Sequence, residues 1–307
     1  MIVANTRAEL AAGLEKLPAP LVLVPTLGAL HDGHRALLRR ARTLAGPGGA
    51  VAVSIFVNPL QFGPTEDLDK YPRTLEADLA ACEQERVDLV FAPSVGEMYP
   101  QQQLVMVDPG PAGEILEGEF RPGFFHGVLT VVLKLFSLVR PDIAVFGQKD
   151  AQQLALVRAM SDDFALGIAI EAVPTVRAAD GLALSSRNRY LSAEERALAP
   201  VLHRALAAGA ESAQAGPAAV VAAAQEVLDE AAQEVLDEAA RSAAADKSPR
   251  VDYLALVEAR SYRPVPLEPD FDFHGDAVLA IAARVGTTRL IDNVIVRLGT
   301  EPHAADD

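Results

Sequence analysis

Residues 21–40 read LVLVPTLGALHDGHRALLRR. Four consecutive apolar residues, Leu21 to Val24, stop at Pro25, and an apolar-periodic segment (Ala36, Leu37, Leu38, Ala41) follows, which predicts strand, loop, helix. The loop carries Gly28 and leads into His31 and His34, three residues apart and so on one face of the first helical turn. A helix start offers backbone N–H groups and the positive end of the dipole, a natural seat for phosphate. Metal chelation is the competing chemistry for two histidines at this spacing. No obvious third ligand accompanies the pair, and the glycine-bearing strand–helix junction favours phosphate.

Outward from this element the same alternation recurs. Ala50 to Val57 is a continuous β-rich run of the kind covered on both faces, and it ends at Asn58-Pro59-Leu60-Gln61. Asp69-Lys70-Tyr71-Pro72-Arg73-Thr74 leads into a helix over about 75–85, followed by a strand at 88–91 and another expected at 104–107. A glycine- and proline-rich passage through Arg121-Pro122-Gly123 precedes a mostly buried helix at 127–139. A strand at 142–146 then runs into Gly147-Gln148-Lys149-Asp150 and a helix at 151–160, and Ile168 to Val173 is one more strand. Repeated β-α units predict an α/β fold, a Rossmann-like doubly wound parallel sheet with ligands at the strands' C-terminal edge.

After Val176 the composition shifts. Asp180 to Asn188 (DGLALSSRN) is a turn followed by two hydroxyls and a guanidinium, groups suited to phosphate oxygens as well as to an ordinary polar loop. Alanine-rich helices and then clustered strands predict a smaller C-terminal α+β domain. The boundaries are 1–176 and 177–299, with 300–307 as a frayed acidic tail. AAQEVLDE occurs twice in succession over 223–238. Eight helical residues leave a rotation of about 80° per repeat, so the two Val-Leu pairs do not share a face. The repeat reads as helix extension, with a coiled-coil seam as the weaker alternative.

A formal charge of −15 over 307 residues argues against nucleic acid, which demands a basic surface. Small anions then need a locally positive pocket, so basic residues inside motifs carry the weight. One cysteine, Cys82, excludes an internal disulfide framework and reads as a buried structural thiol. The absence of a leader-like start and of an 18-residue apolar run predicts a cytoplasmic, membrane-free protein. His126, His203, His274 and His303 are scattered and read as surface or packing residues.

The segments PTLGALHDGH, SIFVNPLQF, YPRT, LEGEFRPG, VVLKLFSLVRPD, FGQKDAQQ and DGLALSSRN, in this order, resemble the pantoate–β-alanine ligase (pantothenate synthetase) family from about Leu21 to Leu191. The HxGH element also resembles the wider nucleotidylyltransferase superfamily. The resemblance implies ATP, Mg²⁺, pantoate and β-alanine as ligands, an acyl-adenylate intermediate and a homodimer. It implies an ATP site lined by Leu27, Gly28, Ala29, Leu30, His31, Asp32, Gly33 and His34, by Gly147, Gln148, Lys149 and Asp150, by Val176, and by Leu184, Ser185, Ser186 and Arg187. His34, Lys149 and His31 are the implied catalytic groups, with Mg²⁺ held mainly by the ATP phosphates. Gln61 is implied to bind pantoate and β-alanine, and Gln153 to bind pantoate. Three positions depart from the family pattern: Leu27 and Leu60 stand where methionine is usual, and Phe124 where histidine is. A nucleotidylyltransferase releasing its adenylylated product and a non-catalytic nucleotide binder are the alternatives.

Overall fold

The computed structural model describes residues 1–63, 68, 71–242, 248–268, 271 and 273–299. The elements of the first part are β1 (Ile2–Ala4), α1 (Arg7–Leu14), β2 (Leu21–Thr26), α2 (Asp32–Ala45), β3 (Ala50–Ile55), α3 (Leu75–Gln84) and β4 (Leu89–Phe91). There follow α4 (Val95–Met98), α5 (Glu117–Phe120), α6 (Phe124–Val139), β5 (Ile143–Gly147), α7 (Ala151–Asp163) and β6 (Ala169–Val173). The second part holds α8 (Ala193–Leu198), α9 (Val201–Glu211), α10 (Pro217–Ser242), β7 (Arg250–Glu258), β8 (Gly275–Val285) and β9 (Thr288–Leu298).

β1 to β6 form one parallel sheet in the order β1-β4-β3-β2-β5-β6. The continuous apolar runs follow from burial on both faces. Val22, Val24, Val51 and Val53 pack with Leu37, Leu38 and Ala41 of α2 and Cys82 of α3. Leu23, Ala52 and Leu89 pack with Phe125, Leu129 and Phe136 of α6 on the other side. Cys82 is fully buried, and burial, then the Asp78 charge, pushes its thiol up to about 12, so it stays protonated and inert.

The chain runs from β2 outward to β3 and β4, then returns to place β5 on the opposite side of β2. That reversal is a topological switch point, and the crevice at its C-terminal edge is where open α/β sheets bind ligands. β2 ends there at Thr26 and β5 at Gly147.

Leu104–Val107 is not a strand. Leu104 and Val105 are 88% and 77% exposed, and the segment is tied by Val107 N donating to Thr130 Oγ1 (2.9 Å) and Gln103 Nε2 donating to Val105 O (2.7 Å). An apolar run predicts a strand only where a neighbour supplies a ladder, and none of the six strands pairs with it.

By backbone packing, Met1–Gln148 and Gln152–Val176 make one unit, and Lys149–Ala151 with the chain from Arg177 onward make the other. The second unit's antiparallel sheet β7-β8-β9 packs Leu279, Ile281 and Val296 against Leu202, Leu206, Ala224 and Leu228 of α9 and α10. The AAQEVLDE copies lie on one helix and differ in role: Leu228 is buried, while its counterpart Leu236 is 42% exposed. Each copy closes the same Gln-to-Asp hydrogen bond one turn on, Gln225 to Asp229 and Gln233 to Asp237. The predicted tail, 300–307, and His303 lie outside the described residues.

Arg177 forms a two-pronged pair with the buried Asp292 (2.5 and 2.9 Å) and also donates to Gly181 O. Burial and this guanidinium lower the pKa of His203, with Asp292 opposing more weakly. The unfolded chain therefore takes up the proton first, and stability is lost as pH falls through about 6.5 toward the folded value. The urea midpoint of the wild type should drop between pH 8 and pH 5.5 by more than that of His203→Gln; equal drops would contradict the assignment.

Candidate active site

The β2–α2 junction is built from side chains that hold backbone N–H groups. Thr26 Oγ1 accepts from Gly28 N (3.3 Å) while donating to Ser54 O (2.8 Å). Asp78, 2% exposed on α3, accepts from Ala29 N (3.0 Å) and Leu30 N (2.8 Å), and Thr74 Oγ1 donates to it (3.3 Å). Gly28 has φ +86°, and a Cβ there would lie 3.0 Å from both Asp78 Oδ2 and Ile55 Cγ2, so glycine alone suits the position. Ala29 follows at φ +51°, a left-handed conformation that costs about 1–2 kcal/mol and is offset by the tether to Asp78.

His31 is the N-cap of α2 and His34 its third residue. Gly33 N donates to His31 Nδ1 (3.1 Å), and His31 N donates to His34 Nδ1 (3.2 Å); the rings lie 4.1 Å apart. An Nδ1 that accepts a hydrogen bond carries no proton. Both imidazoles are therefore neutral in this arrangement, with their single proton on Nε2. The N–H groups of Ala29, Leu30, His31 and Gly33 are thus held by Asp78 and the two imidazoles.

At the end of β3, Asn58 is fully buried and caps a short turn, Pro59–Gln61, with Gln61 8% exposed. Asn58 Nδ2 donates to Gln61 Oε1 and to Gly127 O, both at 3.1 Å. Arg121 Nη2 donates to Gln61 O (3.4 Å), and its guanidinium stacks 3.6 Å from the Phe124 ring centroid. The aromatic ring at 124 thus serves as a platform for Arg121. Of the adjacent glutamines on α7, Gln152 is the buried one. It donates to Ala112 O and Ile115 O and accepts from Glu117 N, whereas Gln153 is half-buried.

Within the first unit the structure thus places Leu27 to His34 after β2, Gly147 and Gln148 at the end of β5, Gln61 after β3, Gln153 on α7 and Val176 at its last residue. In the second unit, Lys149 is largely covered, with its Nζ 3.9 Å from Asp150 Oδ1, and its carbonyl accepts from Asn293 Nδ2 (2.8 Å). Leu184 precedes Ser185, which caps a turn over Ser186–Tyr190 by accepting from Arg187 N (3.3 Å). Asn188 Nδ2 braces that turn on Ala183 O (3.0 Å). Sequence reading missed Asp78, Thr26 and Gln152. Among the described residues no group of three or more His, Cys, Asp or Glu is placed to hold a metal, and no helix is long and apolar enough to cross a membrane.

The HxGH turn thus stands at the switch point of a doubly wound parallel sheet. A family model described as pantoate-beta-alanine ligase matches residues 2–295, and the chain belongs to that family. Pantothenate synthetase from Thermobifida fusca is 57% identical over 303 residues, spanning 97% of this chain and 96% of its own. The enzyme of the same name from Acidothermus cellulolyticus is 51% identical, spanning 96% and 92%. Among solved structures, pantothenate synthetase from Thermus thermophilus superposes with a TM-score of 0.82 at 45% identity, covering 96% of this chain and 99% of its own. Pantoate-beta-alanine ligase from Francisella tularensis, complexed with beta-gamma ATP and beta-alanine, gives 0.74 at 30% identity, covering 96% and 97%.

Removing the Asp78 carboxylate leaves two part-buried N–H groups without that acceptor, at up to about 1–3 kcal/mol each. Asp78→Ala should lower the urea midpoint and speed amide hydrogen exchange at Ala29 and Leu30 selectively. Unchanged exchange at both would refute the tether.

Proposed function

We propose that this protein condenses pantoate with β-alanine in an ATP-dependent, AMP-forming reaction. A carboxylate oxygen of pantoate attacks the α-phosphorus of ATP, the bond to the bridging oxygen breaks, and pyrophosphate leaves. The amine of β-alanine then attacks the acyl carbon of pantoyl adenylate. AMP departs, the nitrogen gives up a proton, and the amide of pantothenate remains. The observation that carries this reading is the match of the pantoate-beta-alanine ligase family over residues 2–295, joined to an interlocked histidine pair at the switch point.

Charge grows on the α-phosphoryl oxygens and on the departing pyrophosphate. Positioned donors that need no reorganisation stabilise it best. We assign this work to His34 and Lys149, with His34 donating a hydrogen bond through Nε2 and His31 helping to seat the triphosphate. Residues 27–34, Gly147 to Asp150, Val176 and Leu184 to Arg187 are assigned to ATP. Asp150 is assigned to the ribose hydroxyls, the backbone at Gly147 and Val176 to adenine or ribose, and Ser185, Ser186 and Arg187 to the outer phosphates. Gln61 and Gln153 orient pantoate, Gln61 also serving β-alanine. Neutral amides suit this role, because an ion pair would stabilise the carboxylate and blunt its attack. Mg²⁺ belongs with the ATP phosphates, in keeping with a cation that keeps much of its water and binds through substrate oxygens.

Residues 1–176 are assigned as the ATP- and pantoate-binding domain and 177–299 as a lid domain whose closure shields the acyl adenylate from water. A homodimer in the cytoplasm completes the proposal, supported by the family and by a single buried thiol.

Pyrophosphate exchange into ATP should require pantoate, and AMP should be released in stoichiometric amounts only when β-alanine is added. Folded protein without pantoate-dependent exchange would reject the reading. His34→Ala and Lys149→Ala should each slow exchange by about 100-fold or more in protein that remains folded, His34→Ala with a lowered thermal midpoint because His31 N loses its acceptor. Wild-type rates in either would remove the assigned role.

A further inference from the structure

Resting on the pantoate-binding role given to Gln61, we propose that Tyr99 is a positioning residue for the acid substrate, acting through Asn58 to present the Gln61 side chain as an N–H donor.

The polarity of this chain follows from two backbone groups. Leu60 N can only donate, and it points at Asn58 Oδ1 (3.3 Å); Gly127 O can only accept, and it faces Asn58 Nδ2 (3.1 Å). The Asn58 amide is therefore oriented without ambiguity. Its oxygen must accept, so the Tyr99 hydroxyl donates to it (2.9 Å). Its nitrogen must donate, so the atom of Gln61 at 3.1 Å is Oε1. The other end of the Gln61 amide, the NH₂ group, is thereby directed away from Asn58. A substrate meeting Gln61 meets a donor matched to a carboxylate or hydroxyl oxygen.

The relay is held at both ends. Asn58 is fully buried and its Oδ1 accepts from both Tyr99 and, at the longer distance, Leu60 N, so losing the shorter of the two bonds is costly. The Tyr99 ring is fixed between Phe56 (centroids 5.9 Å apart) and the Lys134 ammonium, 4.8 Å over its face. Burial pushes the phenol above its ordinary range, so the hydroxyl keeps its proton. Gly127 lets the Leu60–Gln61 backbone approach: a Cβ there would fall 2.1 Å from Leu60 O and 2.6 Å from Gln61 N. Tyr99 lies 38 residues beyond Gln61 in sequence and needs no contact with substrate to act.

Tyr99→Phe deletes the hydroxyl and keeps the ring. Its KM for pantoate should rise about fivefold, the worth of one hydrogen bond, with the KM for ATP and the thermal midpoint near wild type. In a Gln61→Ala background the same substitution should change the pantoate KM by less than about twofold, since the group it orients is gone. An unchanged pantoate KM in Tyr99→Phe, or a fivefold rise that persists in the Gln61→Ala background, overturns the relay. Should Tyr99→Phe fail to fold, Gln61→Glu answers the same question. It keeps an acceptor for Asn58 but turns an oxygen toward the substrate, so its pantoate KM should rise at least as far as that of Gln61→Ala; a wild-type value would overturn the assigned polarity. Wild-type protein lacking pantoate-dependent exchange would instead defeat the underlying function, and is read before any variant.

Discussion

Between the last ladder bond of β2 and the first turn of α2, the backbone leaves one hydrogen-bonding system and has not yet entered another. Buried N–H groups in such a gap must find acceptors or cost about 1–3 kcal/mol each. Here four side chains supply them: Thr26, Asp78, His31 and His34. Everything at the switch point depends on this settlement. It holds Ala29 in a left-handed conformation, sets the entry direction of α2 and fixes the tautomer of both histidines. The donor character of the two imidazoles is thus a by-product of satisfying the turn's own backbone. An imidazole that accepts at Nδ1 has no choice but to donate at Nε2.

The parts of this arrangement legible in the sequence are those governed by local periodicity. The run Leu21–Val24 has to be covered on two faces, and the apolar spacing from Ala36 to Ala41 has to be helical, so strand, turn and helix were readable together with the shared face of His31 and His34. The capping boxes at Thr6 and Ser192 are local in the same way, each closing over three residues. What stayed hidden crosses long distances in sequence. Asp78 is one acid among several on α3, and only the fold brings it against a loop 48 residues earlier. Asn58 resembles a turn former until the sheet buries it. Gln152 and Gln153 cannot be told apart without knowing which flank of α7 meets the 112–117 segment. Leu104–Val107 failed for the converse reason: its composition suits a strand, but a strand is a property of pairs, and no partner reaches it.

The second unit shows how little a repeated sequence says about environment. Both AAQEVLDE copies make the same intrahelical hydrogen bond, which depends only on residues four apart. Their leucines then part company, because eight residues overshoot two turns and the helix has rotated. Leu228 reaches the β-sheet core while Leu236 meets water. A strict heptad would have carried the apolar stripe onward; this spacing lets the helix extend without asking for a second partner.

Net charge sharpens the chemical problem that the proposed reaction poses. A chain of −15 has to receive a polyphosphate and a carboxylate, and a dense cluster of cations would answer the field. It would also stabilise the carboxylate that must act as nucleophile. Under the proposed assignments the first unit meets this with neutral donors, two imidazole N–H groups and an amide NH₂, each fixed by a hydrogen bond at its opposite end. Such groups attract an anion through dipoles already in place and therefore need little reorganisation as charge moves. They also lose little to salt screening compared with exposed cations. Orientation then matters more than charge count, because a dipole turned the wrong way repels the same anion it should hold. In the proposed relay a buried asparagine, a phenol and a glycine lie behind Gln61, and together they decide which end of its amide turns away from Asn58.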